Sequence, residues 1–175
     1  MSEPLHFEDL AVGDRWTSLG RTITETDIVN FAGVTGDYDP LHVDHEYARQ
    51  TPFGKPIAQG LLGLSLVAGL ASHYPSVRTI AFMKIEKWEF LKPIYIGDTV
   101  HAETEVIGKH ANGRRTGFVT WRRQLINQTG AVVQSGIFQT LVAVAKVQRA
   151  PTTVATSAPS AWPTRTVVAS ASPKG

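Results

Sequence analysis

The feature that most constrains this chain is one long apolar stretch, residues 57–73, followed by segments in which apolar and polar residues alternate. The stretch is apolar almost all round, which predicts a buried helix rather than an amphipathic one. Its three glycines, Gly60, Gly63 and Gly69, weaken the helix but allow a sheet to approach it closely. It is too short, and too interrupted by glycine and polar residues, to predict a membrane span.

From residue 78 onward the hydrophobic period changes to two, which predicts strands. Residues 99–106, 118–126 and 131–145 are the clearest segments, with an Asn-Gly hairpin turn at residues 111–113. The inward face of the first segment holds Val100, Ala102, Thr104 and Val106. One buried helix followed by three or four antiparallel strands is an α+β architecture in which the sheet wraps the helix. A single helix cannot cover a broad sheet, so we expect a homodimer or a dimer of dimers.

The N-terminal part predicts smaller elements. Residues 15–23 predict one short strand. Thr24 and Asp27 form a capping pattern at the start of a helix, which Gly33 and Gly36 end. Residues 36–40 are dense in turn formers, and residues 44–50 predict one or two helical turns.

Composition limits the class of protein. We expect one domain over residues 1–147 and a flexible Ala/Ser/Thr/Pro-rich tail over residues 148–175. The chain has no cysteine, which excludes disulfides and thiolate chemistry, and its first residues do not resemble a signal peptide. We therefore expect a cytoplasmic protein. A net charge of +2 is too small to predict a nucleic-acid partner, and no membrane partner is expected.

The candidate chemistry lies in a Gly-Asp turn. Asp37 and His42 flank Pro40, and such a turn can bring a carboxylate and an imidazole together. The pair can hold a water, remove its proton and return a proton elsewhere. A purely structural interpretation, in which Asp37 caps the turn and His42 caps the next helix, is the more common case for these residue types alone. His42 and His45 share a helical spacing, but no third ligand follows at a recognisable distance, so no metal site is expected.

Three segments together resemble the MaoC-like family, which includes the R-specific enoyl-CoA hydratases. Residues 54–65 resemble the start of the family's central helix, and residues 90–100 resemble its strand-entry signature. The segment over residues 31–48 resembles the hydratase motif, with matches at Phe31, Thr35, Gly36, Asp37, Pro40, Leu41, His42 and Ala48. The resemblance covers about residues 8–145 and implies a hotdog fold, a long central helix wrapped by an antiparallel sheet.

The same resemblance implies a site. Asp37 and His42 would activate water for attack on the β-carbon of a trans-2-enoyl thioester, and one of them would protonate the α-carbon. The backbone N–H of Gly60 would bind the thioester oxygen, because helix N-termini have free amide groups and a partial positive charge. Ser65 matches a family serine that bonds the catalytic aspartate, although a bond back to its own helical turn fits as well.

The implied substrate is an acyl-CoA, or an acyl group on an acyl-carrier protein, with coenzyme A entering only as part of the substrate and no other cofactor. Asp39 stands where the family has a substrate-binding asparagine; it loses the amide donor and adds a negative charge near Asp37. Two alternatives stay open. A hotdog thioesterase is disfavoured because residues 57–73 contain no Asp or Glu. A non-catalytic acyl-thioester binder would be supported if Asp39 disables the site.

Overall fold

The structure is a computed structural model that describes residues 3–145. The tail expected at residues 148–175 lies outside the described residues, so that prediction stays untested. The helices are a 3-10 turn at Phe7–Asp9 and four α-helices: α1 Glu25–Thr35, α2 Pro40–Val43, α3 His45–Arg49 and α4 Gly60–Leu70. The strands are β1 Arg15–Thr17, β2 Arg21–Thr22, β3 Thr79–Phe90, β4 Thr99–Asn112, β5 Thr116–Asn127 and β6 Val132–Ala143.

All the strands form one antiparallel sheet that wraps α4, which confirms the expected hotdog architecture. The strand order is β1-β4-β5-β6-β3, and β2 also pairs with β4. Alternate residues of the three central strands are buried beneath the helix; on β4 these are the four inward residues predicted from the sequence: Val100, Ala102, Thr104 and Val106. The sheet therefore supplies one continuous inner face, on which α4 lies.

The central helix differs from its prediction in length and burial. It begins at Gly60 rather than at residue 57, because Ala58 donates its backbone N–H to Ile94 in the sheet connection. Leu62, Gly63, Leu66 and Val67 are buried against the sheet. The opposite face is open, and Leu61 is 58% exposed. The prediction of burial all round is wrong for a single subunit, because the sheet covers only one side of the helix.

One side-chain clasp fixes α4 to the sheet. Gln134 of β6 donates from Nε2 to the Gly60 carbonyl at 3.0 Å, and its Oε1 accepts from the Trp88 indole N–H at 3.2 Å. The clasp requires a glycine at Gly63, where a Cβ would lie 2.3 Å from Nε2 of Gln134. The close approach of helix and sheet expected from the glycines therefore occurs at Gly63. This contact sets the distance between α4 and the sheet.

The N-terminal elements are mostly as predicted. Thr24 and Asp27 form a reciprocal capping box at the start of α1, and Gly36 ends the helix with φ at 78°. The single strand expected at residues 15–23 is two short strands, β1 and β2. The segment after Asp37 contains a further helical turn, α2, where only a loop was predicted. The turn formers Asp39 and Pro40 serve here as the N-cap and the first residue of that helix.

The strand β3 forms one edge of the sheet and pairs only with β6. Five large apolar side chains along it are exposed in the single subunit: Ile80, Phe82, Met83, Ile85 and Phe90. Among residues 3–145, no helix has the length and hydropathy to cross a membrane.

The capping box makes a testable contribution to acid stability. Burial would raise the pKa of Asp27, but hydrogen bonds from Thr24 and the charge of Arg21 outweigh it and hold that pKa below its ordinary value of 3.8. Asp27→Asn should lower the free energy of unfolding at neutral pH by about 1 kcal/mol. A carboxylate whose pKa is lowered by folding stabilises the fold at every pH above its ordinary, unfolded-state pKa. That stabilisation is lost as the pH falls through the pKa of the folded state.

The difference between wild type and Asp27→Asn should therefore be constant near neutrality and shrink in acid below about pH 4. Urea unfolding measured across this range checks it. A difference that stays unchanged in acid would contradict the capping-box interpretation.

Candidate active site

The orientation of His42 is set by a backbone carbonyl. The imidazole projects from α2 and is only 13% exposed, and its Nδ1 lies 2.7 Å from the carbonyl oxygen of Ile57. A carbonyl can only accept, so Nδ1 carries the proton. In the neutral ring Nε2 is then an unprotonated acceptor, which is the form that a general base needs.

The carboxylate of Asp37 lies beside that free nitrogen. Its Oδ2 is 3.9 Å from Nε2 of His42, too far for a direct hydrogen bond but within reach of one bridging water. Asp37 directly follows Gly36, the left-handed C-cap of α1, and its side chain is 47% exposed. The end of α1 and the short helix α2 therefore bring together the two groups predicted from the sequence.

An apolar cavity of about 350 Å³ lies against His42. His42 and Gly60 both line it, and Lys92 is the one cationic side chain in its wall. The remaining wall is Phe53, Ile57, Ala58, Phe90, Leu91, Pro93, Ile94 and Gln134. A mostly apolar pocket with a few convergent polar groups is typical of a small-molecule site.

Gly60 places the start of α4 in the same cavity. It is the first residue of the helix, and within residues 3–145 neither its N–H nor that of Leu61 has a hydrogen-bond acceptor. A Cβ on Gly60 would lie 2.9 Å from the ring of Phe90, so a side chain here would press on the cavity wall. The free amide groups and the partial positive charge of the helix end are suited to a developing negative oxygen.

The other two residues named from the sequence have local partners. Asp39 caps α2, accepting from the Leu41 N–H at 2.8 Å. Ser65 donates to the carbonyl of Leu61 at 2.8 Å, the bond back to its own helical turn. The structure therefore brings Asp37 close to His42 and places His42 and Gly60 in the wall of one cavity. It gives Asp39 and Ser65 hydrogen bonds within their own helices.

Several residues of the site were not predicted individually from the sequence, although they lie in segments that resemble the family. The Ile57 carbonyl, the Phe90 ring and Lys92 reach the cavity only through tertiary folding. Gln59 is buried and donates from Nε2 to the Ile28 carbonyl at 3.2 Å. That bond ties α1 to the start of α4, so this residue holds the site together rather than lining it.

The two histidines considered as metal ligands face different partners. Nε2 of His45 lies 2.8 Å from a carboxylate oxygen of Glu25, whereas His42 is bonded to the backbone of Ile57. Within the described part of the chain, no group of three or more His, Cys, Asp or Glu side chains is arranged to hold a metal ion.

Comparison with known proteins identifies the family. The model of the MaoC like domain matches residues 11–129. The chain belongs to the MaoC-like dehydratase family. It is similar to the (R)-specific enoyl-CoA hydratase of Rhodospirillum rubrum, with 37% identity over 67% of this chain and 78% of that protein.

Two further relatives extend the comparison. The 3-hydroxybutyryl-CoA dehydratase of Methylorubrum extorquens is 37% identical over 58% of this chain, a match that spans 64% of that protein. A solved structure described as a monoamine oxidase regulatory protein from Archaeoglobus fulgidus superposes with a TM-score of 0.75 and 41% identity. That superposition covers 80% of this chain and 95% of the other. Family membership and fold are therefore established for this chain.

The tautomer of His42 can be observed directly. At mildly alkaline pH, long-range ¹H–¹⁵N NMR correlations should show His42 protonated at Nδ1 and unprotonated at Nε2, because the Ile57 carbonyl needs a donor. His45 provides an internal control, since its bond to Glu25 requires the proton on Nε2. Finding His42 protonated at Nε2 would mean that this nitrogen cannot act as the base.

Proposed function

We propose that this protein adds water to, and removes it from, an enoyl or 3-hydroxyacyl thioester. The observation that carries the proposal is that His42 and Gly60, the first residue of α4, line one apolar cavity, with the Asp37 carboxylate 3.9 Å from Nε2 of His42. A base next to a bound water and an oxyanion site nearby are the two requirements for conjugate addition to an enoyl thioester.

The reaction proceeds in two balanced steps. A water held between Asp37 and His42 loses a proton to one of them, and its oxygen forms a bond to the β-carbon. The π electrons move toward the carbonyl, and the resulting negative oxygen accepts from the Gly60 N–H. The protonated member of the pair then gives a proton to the α-carbon, which restores the thioester. The reverse sequence is dehydration.

The cavity and the relatives support an acyl thioester as the substrate class. Two curated relatives are named for CoA substrates, and the apolar wall suits an acyl chain. We propose that coenzyme A enters only as part of the substrate, with an acyl-carrier protein as the other carrier to test. Lys92 lines the cavity, while Lys84 and Lys87 already form ion pairs with Glu86 and Glu89. Lys92 is therefore the cation that we expect closest to the thioester arm.

The replacement of the family asparagine by Asp39 is compatible with this activity. Aspartate and asparagine are equally good helix N-caps, and Asp39 fills that role for α2. We propose that Asp39 holds His42 in place through the helix rather than contacting the substrate. The absence of Asp and Glu from α4 disfavours the thioesterase alternative, because no carboxylate on that helix can direct water to the carbonyl carbon.

Activity can be tested with matched variants. Wild type should consume crotonyl-CoA, followed as loss of the enoyl absorbance, and Asp37→Asn and His42→Asn should each lower kcat by about 10²- to 10⁴-fold. Glu46→Gln is the control: it removes a carboxylate from the exposed helix next to α2 and should leave the rate unchanged. A parallel assay with hexanoyl-CoA, in which release of free thiol is measured, tests for thioesterase activity.

Each outcome has a definite meaning. Undiminished hydration in Asp37→Asn would remove that residue from the mechanism. Thiol release without hydration would replace the hydratase by a thioesterase, and binding of enoyl-CoA with neither reaction would leave the non-catalytic binder.

We further propose that the protein is a homodimer formed through the β3 edge and the open face of α4. The exposed apolar side chains of β3, continued by Leu61 on the helix, make a patch of the kind that marks a protein interface. An uncovered edge strand also offers a row of unpaired backbone groups to a second copy. Such a dimer would bury the helix face that the sheet leaves open.

Light scattering tests the interface. Ile85→Lys places a charge in the proposed contact and should raise the dimer dissociation constant by about tenfold or more. Val12→Lys adds the same charge at an exposed apolar residue outside β3 and α4 and should leave the mass at that of a dimer. A monomeric wild type, or an Ile85→Lys protein that stays dimeric to the same dilution, would contradict this interface.

A further inference from the structure

One cationic side chain is buried away from the candidate active site. Arg123 lies on the inner face of β5, and only 9% of the residue is exposed. Its Nε has no hydrogen-bond partner, and no carboxylate in residues 3–145 forms a salt bridge with its guanidinium. The adjacent Arg122 points to the outer face and pairs with Glu105 at 3.1 Å. The two neighbours therefore have opposite environments.

The guanidinium faces a cavity of about 300 Å³ at the C-terminal end of α4. Its Cζ lies 5.0 Å from the ring centroid of Phe138 and 5.8 Å from that of Trp121, so two aromatic rings stabilise the cation in part. Phe82 on β3 and the exposed Ala68 on α4 place one side of this cavity at the proposed dimer interface. The rest of the wall is Ala71, Ser72, Pro75, Val77, Thr79 and Thr140. Most of these side chains are apolar.

A buried cation of this kind requires compensation. Desolvation lowers the pKa of Arg123 to about 10, which leaves it charged at neutral pH. Its cross-strand neighbour Thr104 also has a buried hydroxyl without a partner. Residues 146–175 contain no Asp or Glu, so no side chain from that segment can supply the missing negative charge. An unpaired buried charge is costly, so a ligand that neutralises it would gain that stabilisation on binding.

We propose that the cavity at Arg123 binds a small organic carboxylate. The planar guanidinium fork matches the two oxygens of a carboxylate, and the apolar wall accommodates the hydrocarbon body of the ligand.

The site is distinct from the candidate active site. The catalytic cavity contains Gly60 at the start of α4, whereas this one contains Ala68 and Ala71 at the other end, about 12 Å further along the helix. The two cavities have no lining residue in common. The carboxylate has two possible sources: a free carboxylic acid, or the distal carboxylate of an acyl chain long enough to reach past the helix.

Calorimetry on the full chain tests the proposal without using activity. Hexanoate should bind saturably to wild type, and the uncharged hexanamide should bind about tenfold more weakly or worse, because it cannot form the ionic fork. Arg123→Met should lose hexanoate binding. Arg122→Met is the matched control, since it removes the same charge from the outer face of the same strand, and it should bind as wild type does.

Thermal unfolding separates binding from a purely structural role. Ligand-free Arg123→Met should have a Tm equal to or above that of wild type, because an apolar side chain removes the cost of burying an unpaired charge. Saturating hexanoate should raise the Tm of wild type and of Arg122→Met but not that of Arg123→Met.

Three results would overturn the site: no saturable hexanoate binding to wild type, equal binding to Arg123→Met, or tight binding of hexanamide. Weaker dimerisation of Arg123→Met without any binding of hexanoate would instead mean that a second copy of the chain neutralises the arginine. If hydration is observed, enoyl-CoA substrates with and without a terminal carboxylate distinguish the two sources. If Arg123→Met loses turnover of the carboxylated substrate only, the carboxylate that binds Arg123 is the end of the acyl chain. If the ratio of the two turnover rates is unchanged, that carboxylate comes from a free acid.

Discussion

The position of the first turn of α4 is the constraint on which the rest of the structure depends. Gln134 holds that turn to the sheet through the carbonyl of Gly60, and the missing side chain at Gly63 makes the contact possible. Gln59 ties the same point to α1. The Ile57 carbonyl that orients His42 lies just before it, so one packed junction places both the base and the oxyanion donor. A change of even one methyl group at this junction would alter both.

Much of the fold was predictable because its signals are local. The capping box at Thr24 and Asp27, the alternation along β4 and the turn at Gly113 depend on residues close together in the chain. The limits of α4 were not predictable in the same way. Residues 57–59 have helical composition, but the sheet connection captures their backbone, and a non-local hydrogen bond then outweighs propensity.

The residues of the candidate site also differ in how far the sequence predicts them. Asp37 and His42 stand five positions apart, so the turn made their meeting possible, and the family resemblance made it the expectation. The Ile57 carbonyl and Lys92 come from other segments, and only tertiary structure brings them to the cavity. Arg122 and Arg123 show the limit most clearly. Because side chains alternate between the two faces of a strand, one of the two arginines must face inward. The register of β5 against β4 and β6 decides which one does.

The sheet order also has a kinetic consequence. The strands β4, β5 and β6 follow one another as hairpins, so their contacts close short loops. The strand β3 instead pairs with β6, although β4 and β5 lie between the two in the sequence. Because distant contacts cost more entropy to form, we expect the three-stranded meander to form first and β3 to dock last. Until β3 docks, β6 is itself an uncovered edge, so the period before docking is when a nascent chain is most exposed to pairing with the wrong neighbour.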